Sequence, residues 1–453
     1  MGKICIIGSG ITALAQAWAH TCRGDDCLLL ESSDRIGGAI QSFREGAYLA
    51  EEGPNSIQVN SLEVERFLCS VPGLEERTIE ADAAAKNRFI VRGGRLHAVP
   101  SGPFSAITSP LWSLAGKLRV LKEPFVSPAD SDVEESAADF VRRRLGAELY
   151  QYAINPLIGG IYAGNPEQLS LRYAFPKLYA LEQEHGSLIR GAIRKMRAAR
   201  SEAGPKVRKR IVSFRDGLHE LPRHLHAALG SKAQTGVSIR SIQNAGSGWS
   251  VTWNGQSQVF DRVVSTVPFH ALARLPFDPS VKEALDSLPP VDYPPVSVLT
   301  LALKRSDVAH PLDGFGALVP ECEQRKILGV LFPSSVFPGR APEDEVLLTV
   351  FIGGERQPEL ATADTNAVCK LALEELKELL GARGAPTFIH HRHWEKAIPQ
   401  YKIGYGTFLK KVGAVERQFP GLHLAGNYRT GISLSYCIES AQRGLEQTAL
   451  DPE

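Results

Sequence analysis

The fold of this chain is decided at KICIIGSGITALAQAWAH, Lys3 to His20. A short apolar run, Ile4 to Ile7, stops at Gly-Ser-Gly, and an alanine-rich segment with helical spacing follows. Strand, tight turn and helix in that order put Gly8 where the chain reverses and Gly10 where the backbone can approach a ligand. Ala13 is small enough for the helix to pack on the strand. The helix-start amides from Ser9 and Gly10 through Ile11 and Thr12 to Ala13 form an anion site. A second apolar strand, CLLLE, ends on Glu31, at the distance where an acid bonds ribose hydroxyls. The glycines alone fit a ligand-free packing turn equally well. The full order of strand, turn, helix, strand and acid reads as a dinucleotide-binding unit.

The theme returns near the other end, in HLAGNYRTGISLSYCIESAQRG, His423 to Gly444. Gly426 and Gly431 allow close approach, and a helix starting near Leu434 aims its positive end inward. Alone, this is a helix that merely docks. Beside the opening motif, it implies that both ends close on one ligand with the middle of the chain inserted between them.

The gross numbers narrow the class. At 453 residues the chain holds two or three domains, and its net charge of +1 gives no reason to expect nucleic acid. Seven scattered cysteines lack metal-ligand spacing and read as reduced thiols in a cytosolic setting; no metal site is expected. The first apolar run is too short for a signal peptide, and no window has the length of a membrane span.

After Glu31 comes SSDRIGGAIQSF, and then EEGPNS at Glu51 to Ser56. Here the chain resembles the flavin amine oxidase superfamily, whose FAD is wrapped by such segments. The resemblance implies non-covalent FAD, held by the opening turn, Glu31, Ser32, Arg35, Gly38, Ala39, Gly53, Pro54, Asn55, Ser56, Val237, Asn427, Ile432, Ser433 and Leu434. Cys437 lies in a setting unlike that of relatives that attach flavin through cysteine.

Four middle blocks resemble the protoporphyrinogen oxidase family in order and spacing. They are NRFIVRGGRLHAVPSGP (Asn87 to Pro103), a long block containing GIYAGNPEQLS, LGVLFPSSVFPGRAP (Leu328 to Pro342) and AIPQY (Ala397 to Tyr401). The closing motif and GFGALVP look more like the oxygen-dependent enzymes than the coproporphyrinogen enzymes of Gram-positive bacteria. The implied reaction oxidises protoporphyrinogen IX to protoporphyrin IX, with oxygen as acceptor and hydrogen peroxide as product. The same-fold coproporphyrinogen III oxidase and a non-catalytic carrier of the FAD fold remain as alternatives.

The family match makes Arg88 the propionate ligand, although alone it reads as a surface arginine. Leu318, Leu331 and Phe351 match positions that sandwich the tetrapyrrole; periodicity alone calls all three core. Asn55 would face flavin and substrate or simply form a turn. Gly164 matches a loop near the substrate or is a flexible-turn glycine. No side chain is assigned as catalytic, because the flavin drives the chemistry. HHRHW (His390 to Trp394) reads as an exposed strand edge.

Apolar residues recur at helical spacing from Phe104 through Ile107, Leu111, Leu114 and Leu118 to Leu121, with Trp112, Lys117, Arg119 and Lys122 among them. IRKMRAARSEAGPKVRKR (Ile193 to Arg210) is strongly basic. Ordinary packing plus a solvated face explains either stretch. In the family this region sits on membranes, so a peripheral contact with the inner face of the cell membrane is expected, and product handover to a chelatase with it.

The expected architecture is α/β with α+β character. A Rossmann-like FAD-binding domain takes residues 1–60, 211–274 and 402–453. A mixed or antiparallel-sheet substrate domain takes 61–99 and 275–401. A helical, membrane-binding insertion takes 100–210, with a capping signal, SDVE, at Ser131.

Overall fold

The computed structural model describes residues 2–130, 133–201 and 207–447. Its opening strand, Ile4–Ile7, is the centre of a five-stranded parallel sheet. The order is Ala233–Gln234, Cys27–Leu30, Ile4–Ile7, Arg262–Ser265, Leu422–Leu424. Ile4–Ile7 is buried throughout, as a strand covered on both faces must be. The helix Ile11–Arg23 leaves this strand and packs against the closing helix Leu434–Gln447. Ala13, Ala17, Ile438 and Ala441 share their core, so the two ends of the chain meet.

A seven-stranded sheet forms the second layer. It runs Phe388–Trp394, Val296–Lys304, Glu345–Gly353, Gly329–Leu331, Gly314–Leu318, Asn87–Arg92, Arg95–Ala98. All neighbours are antiparallel except Gly314–Leu318 beside Asn87–Arg92. VSVLTLALK and EVLLTVFIG, second and third in that order, are its longest pair. Leu299, Leu301, Leu348 and Val350 pack against Val368, Ala372 and Leu376 of the helix Thr365–Leu380. Alternation then turns Val298 and Phe351 to the opposite face, where they meet Ala163.

In the chain, helices that include Ala137–Leu145, Asn155–Tyr162 and Pro176–His185 follow the strand Arg95–Ala98. A buried ion network holds them. Arg144 pairs with Glu123 at 3.1 Å and with Glu182, and Arg143 joins Glu135 at 2.6 Å and Glu182 at 2.9 Å. Glu123 also accepts the Ser187 hydroxyl at 2.6 Å and the Leu188 amide at 2.8 Å, fastening the start of the helix Leu188–Ser201. The SDVE signal at Ser131 lies outside the described residues. Nearby, Ser136 caps Ala137–Leu145 by accepting the Asp139 amide at 3.0 Å.

The amphipathic stretch forms two helices, Pro103–Thr108 and Leu114–Leu121, broken around Pro110. Phe104 is 81% exposed, and Ile107, Leu114, Leu118 and Leu121 are exposed with it. Leu111 departs from the expected stripe. It is fully buried, because the break at Pro110 resets the helical phase. Part of the basic stretch, residues 202–206, lies outside the described residues. No described helix is long and apolar enough to cross a membrane.

Candidate functional site

Gly8 is left-handed at φ 102°, and a Cβ there would stand 2.7 Å from Thr266 Oγ1. A Cβ on Gly10 would meet nothing within 4 Å, so open space lies before the helix start. No side chain caps that helix, and its first amides have no intrahelical acceptor. The SSDRIGG segment folds back over the turn. The Gly37 amide donates to Ser9 O at 3.0 Å and to its hydroxyl at 3.2 Å, and Gly38 lies over the Gly10 Cα.

Glu31 follows Cys27–Leu30, and its Oε1 accepts the Ser33 amide at 2.8 Å and the Ser32 hydroxyl at 3.3 Å. The Val237 amide donates to Glu31 O at 2.9 Å, which brings this distant residue beside the acid. Arg35 donates to Gln41 Oε1 at 3.2 Å, and Gln41 O accepts the Glu52 amide at 2.9 Å, lacing the extension to EEGPNS. A Cβ on Gly53 would lie 2.3 Å from Ala39 O. Beyond Pro54, Asn55 donates to Gly53 O at 3.1 Å and leaves its own Oδ1 buried without a partner among the described residues; Ser56 then leads into the strand Ile57–Val59.

The closing motif completes the ring. Asn427–Thr430 forms a single helical turn, Gly431 is left-handed at φ 113°, and Ile432 packs against the neighbouring core. The Ser433 hydroxyl accepts the Tyr436 amide at 3.2 Å at the start of Leu434–Gln447. Ser435 donates to Gln58 O at 2.6 Å, tying this helix to the strand after EEGPNS. Burial pushes the Cys437 thiol up to about 11, opposed by a hydrogen bond with Thr12, so it is a poor nucleophile. Open space before an uncapped helix, an orphaned acceptor at Asn55 and an acid at the strand end fit a flavin dinucleotide.

Register gathers the expected substrate residues. Leu318 and Phe351 both pair with Gly329, so all three share one face, and Leu331 follows two residues on from Gly329. Leu331, Asn55, Phe315 and Phe337 line one narrow crevice. Arg88 is exposed at its edge, with its guanidinium 5.5 Å from the Phe315 ring centre, and no carboxylate pairs with it among the described residues. Gly164 stands apart from this face, since a Cβ there would meet Gln400 Oε1 at 2.0 Å. Its neighbour Ala163 reaches the Phe351 cluster, and the absent side chain of Gly160 makes room for Leu318.

Glu51 and Arg340 line the same crevice and were not singled out from sequence, although both lie inside blocks quoted above. Glu51 accepts the Ser42 hydroxyl at 2.6 Å and the Leu218 amide at 2.8 Å, and burial pushes its carboxyl up to about 7. Arg340 is buried and donates to the Ser213 hydroxyl at 2.7 Å. HHRHW is an edge strand, as expected, but not a free one. His390 bonds Glu52 at 3.1 Å, and Trp394 donates to Glu52 O at 2.7 Å, so it braces EEGPNS.

The family model described as flavin containing amine oxidoreductase matches residues 14–444. Protoporphyrinogen oxidase 2, chloroplastic/mitochondrial, of Arabidopsis thaliana is 33% identical over 98% of this chain and 93% of its own length. Coproporphyrinogen III oxidase of Bacillus subtilis is 27% identical over 98% of this chain and 97% of its own length. A solved Exiguobacterium chain assigned as a protoporphyrinogen oxidase shares the fold at TM-score 0.80 and 24% identity, covering 100% of this chain and 99% of its own. The chain belongs to the flavin containing amine oxidoreductases and, among them, to the protoporphyrinogen oxidase family.

Proposed function

We propose that this protein is an FAD-dependent oxidase that converts protoporphyrinogen IX to protoporphyrin IX, a six-electron oxidation in tetrapyrrole biosynthesis, with oxygen as acceptor and hydrogen peroxide as product. The observation that carries this is the near-full-length match to protoporphyrinogen oxidases. FAD held there would supply the redox chemistry, two electrons in each of three cycles.

The chain's own residues hold and orient the partners. The Gly8–Ala13 turn and Glu31 take the dinucleotide's pyrophosphate and ribose. EEGPNS and Gly431–Leu434 flank the flavin ring. Leu318, Leu331 and Phe351 form an apolar wall for the flat macrocycle, and Arg88 at the crevice edge pairs with a propionate. The division into an FAD-binding part, a substrate part and a helical insertion follows the boundaries given above. The FAD is non-covalent, in keeping with the inert Cys437.

Coproporphyrinogen III is the second reading, favoured by the Bacillus relative. A carrier without activity is disfavoured by the intact Arg35–Gly38 wrap and closing motif. Porphyrin fluorescence in air, with each porphyrinogen in turn, decides among them. Faster oxidation of protoporphyrinogen IX supports the proposal, preference for coproporphyrinogen III replaces the substrate, and a colourless protein overturns both.

The exposed row of Phe104, Ile107, Leu114, Leu118 and Leu121 is the surface for a peripheral membrane contact on the cytoplasmic side, from which the insoluble product would pass to a chelatase. Sedimentation with anionic phospholipid vesicles tests the contact. Protein that stays in the supernatant contradicts it.

A further inference from the structure

Gln400 and Tyr401 are adjacent in sequence, and each is 2% exposed. Their side chains hold two different loops. Gln400 donates to Tyr162 O at 2.7 Å and to Ile398 O at 3.0 Å. Its Oε1 is buried without a partner among the described residues and occupies the space a side chain at Gly164 would need. Tyr401 turns to the closing motif, where its hydroxyl donates to Asn427 O and accepts the Gly431 amide at 3.0 Å. One phenol thus fixes both ends of the Asn427–Thr430 turn. Burial raises the phenol's pKa, so it stays protonated and keeps donating.

The backbone that carries the pair is itself anchored. The Gln400 amide donates to Asp292 O at 2.9 Å, and Tyr401 O accepts the Ser170 amide at 2.8 Å. The Tyr401 ring also contacts Tyr162 and Tyr405, with centroids 5.9 and 4.5 Å away. A shift of either loop would therefore leave buried donors or acceptors unmatched.

We propose that Gln400 and Tyr401 are positioning residues that set the Tyr162–Gly164 loop against the Asn427–Gly431 loop, and so set the tetrapyrrole against the flavin. This rests on the proposed assignment of the closing motif to the flavin and of Phe351, which Ala163 of the first loop packs beside, to the tetrapyrrole. Neither residue is required to touch a reacting atom. The account also explains why position 164 is glycine: the neighbouring amide oxygen leaves no room for a Cβ.

The test uses two near-isosteric variants, checked for folding by circular dichroism. Tyr401→Phe keeps the ring and removes the hydroxyl. It is expected to weaken FAD binding about tenfold in titrations of apoprotein and to shift the visible flavin spectrum of the holoprotein. Gln400→Met keeps the length and removes the amide. It is expected to bind FAD as the wild type does while the KM for protoporphyrinogen IX rises about tenfold, more than kcat falls. Wild-type FAD affinity and spectrum in Tyr401→Phe, or an unchanged KM in Gln400→Met, overturns the proposal. A wild-type protein that binds no flavin defeats the underlying loop assignment instead, a result recognisable before any variant is made.

Discussion

Leu318 and Phe351 stand on either side of Gly329, each directly opposite it on a neighbouring strand, so that no side chain separates them on that face. Phe351→Ala is predicted to keep its flavin and to lose about tenfold in apparent affinity for the tetrapyrrole, since much apolar contact goes with the ring. Steady-state kinetics beside flavin content checks this. An unchanged KM would place Phe351 outside the site.

Arg88 lies at the exposed edge of the crevice without a carboxylate partner among the described residues, so its guanidinium is available to a propionate. Arg88→Ala should bind FAD normally and raise KM about tenfold, a modest effect because water screens the pair. Arg88→Lys should recover part of the loss, because an ammonium keeps the charge without the fork. Equal kinetics in all three proteins would remove Arg88 from the reaction.

Glu51 gives a pH signature. Loss of solvent on burial raises its carboxyl to about 7, against 4.5 when free, with Ser42, Arg340 and the Leu218 amide opposing the rise. The folded state therefore binds this proton more tightly than the unfolded state does. The resulting stability is full below 4.5, declines as pH rises towards 7, and changes little above it. The span is on the order of 3 kcal/mol. Glu51→Gln, neutral at every pH, should flatten that part of the stability profile when denaturation midpoints at pH 5 and pH 8 are compared. Parallel profiles would refute the assignment.

Arg144 and Glu123 are fully buried, and Glu182 completes their network. Arg144→Leu would leave the buried Glu123 carboxylate without its cation, Glu182 keeping Arg143, and should destabilise the surrounding helices by about 3–5 kcal/mol. Limited proteolysis should then cut between 103 and 201 well before the sheets. Wild-type resistance would show that the network adds nothing.

What was legible in the sequence was local. The Gly8–Gly10 turn, Glu31 and the helix at Leu434 each carry their signal within a few residues, because phosphate cradles are built from backbone conformation. Leu318, Leu331 and Phe351 could not be told from core by periodicity. Strand register alone puts them on one face, and register is a long-range property. Glu51 carries no local signal, since its burial depends on Ser42, Leu218 and Arg340 arriving from three other segments. Leu111 was misplaced because one proline shifts the helical phase. HHRHW is legible as an edge strand, but its grip on Glu52 links positions more than 300 residues apart.

The most direct measurement supplies the purified yellow holoprotein with protoporphyrinogen IX in air and counts peroxide against porphyrin. The account predicts rapid appearance of protoporphyrin fluorescence with roughly three peroxides per porphyrin, as six electrons passed in pairs to oxygen require. A flavin-loaded protein that forms no porphyrin above the rate of spontaneous oxidation would contradict it.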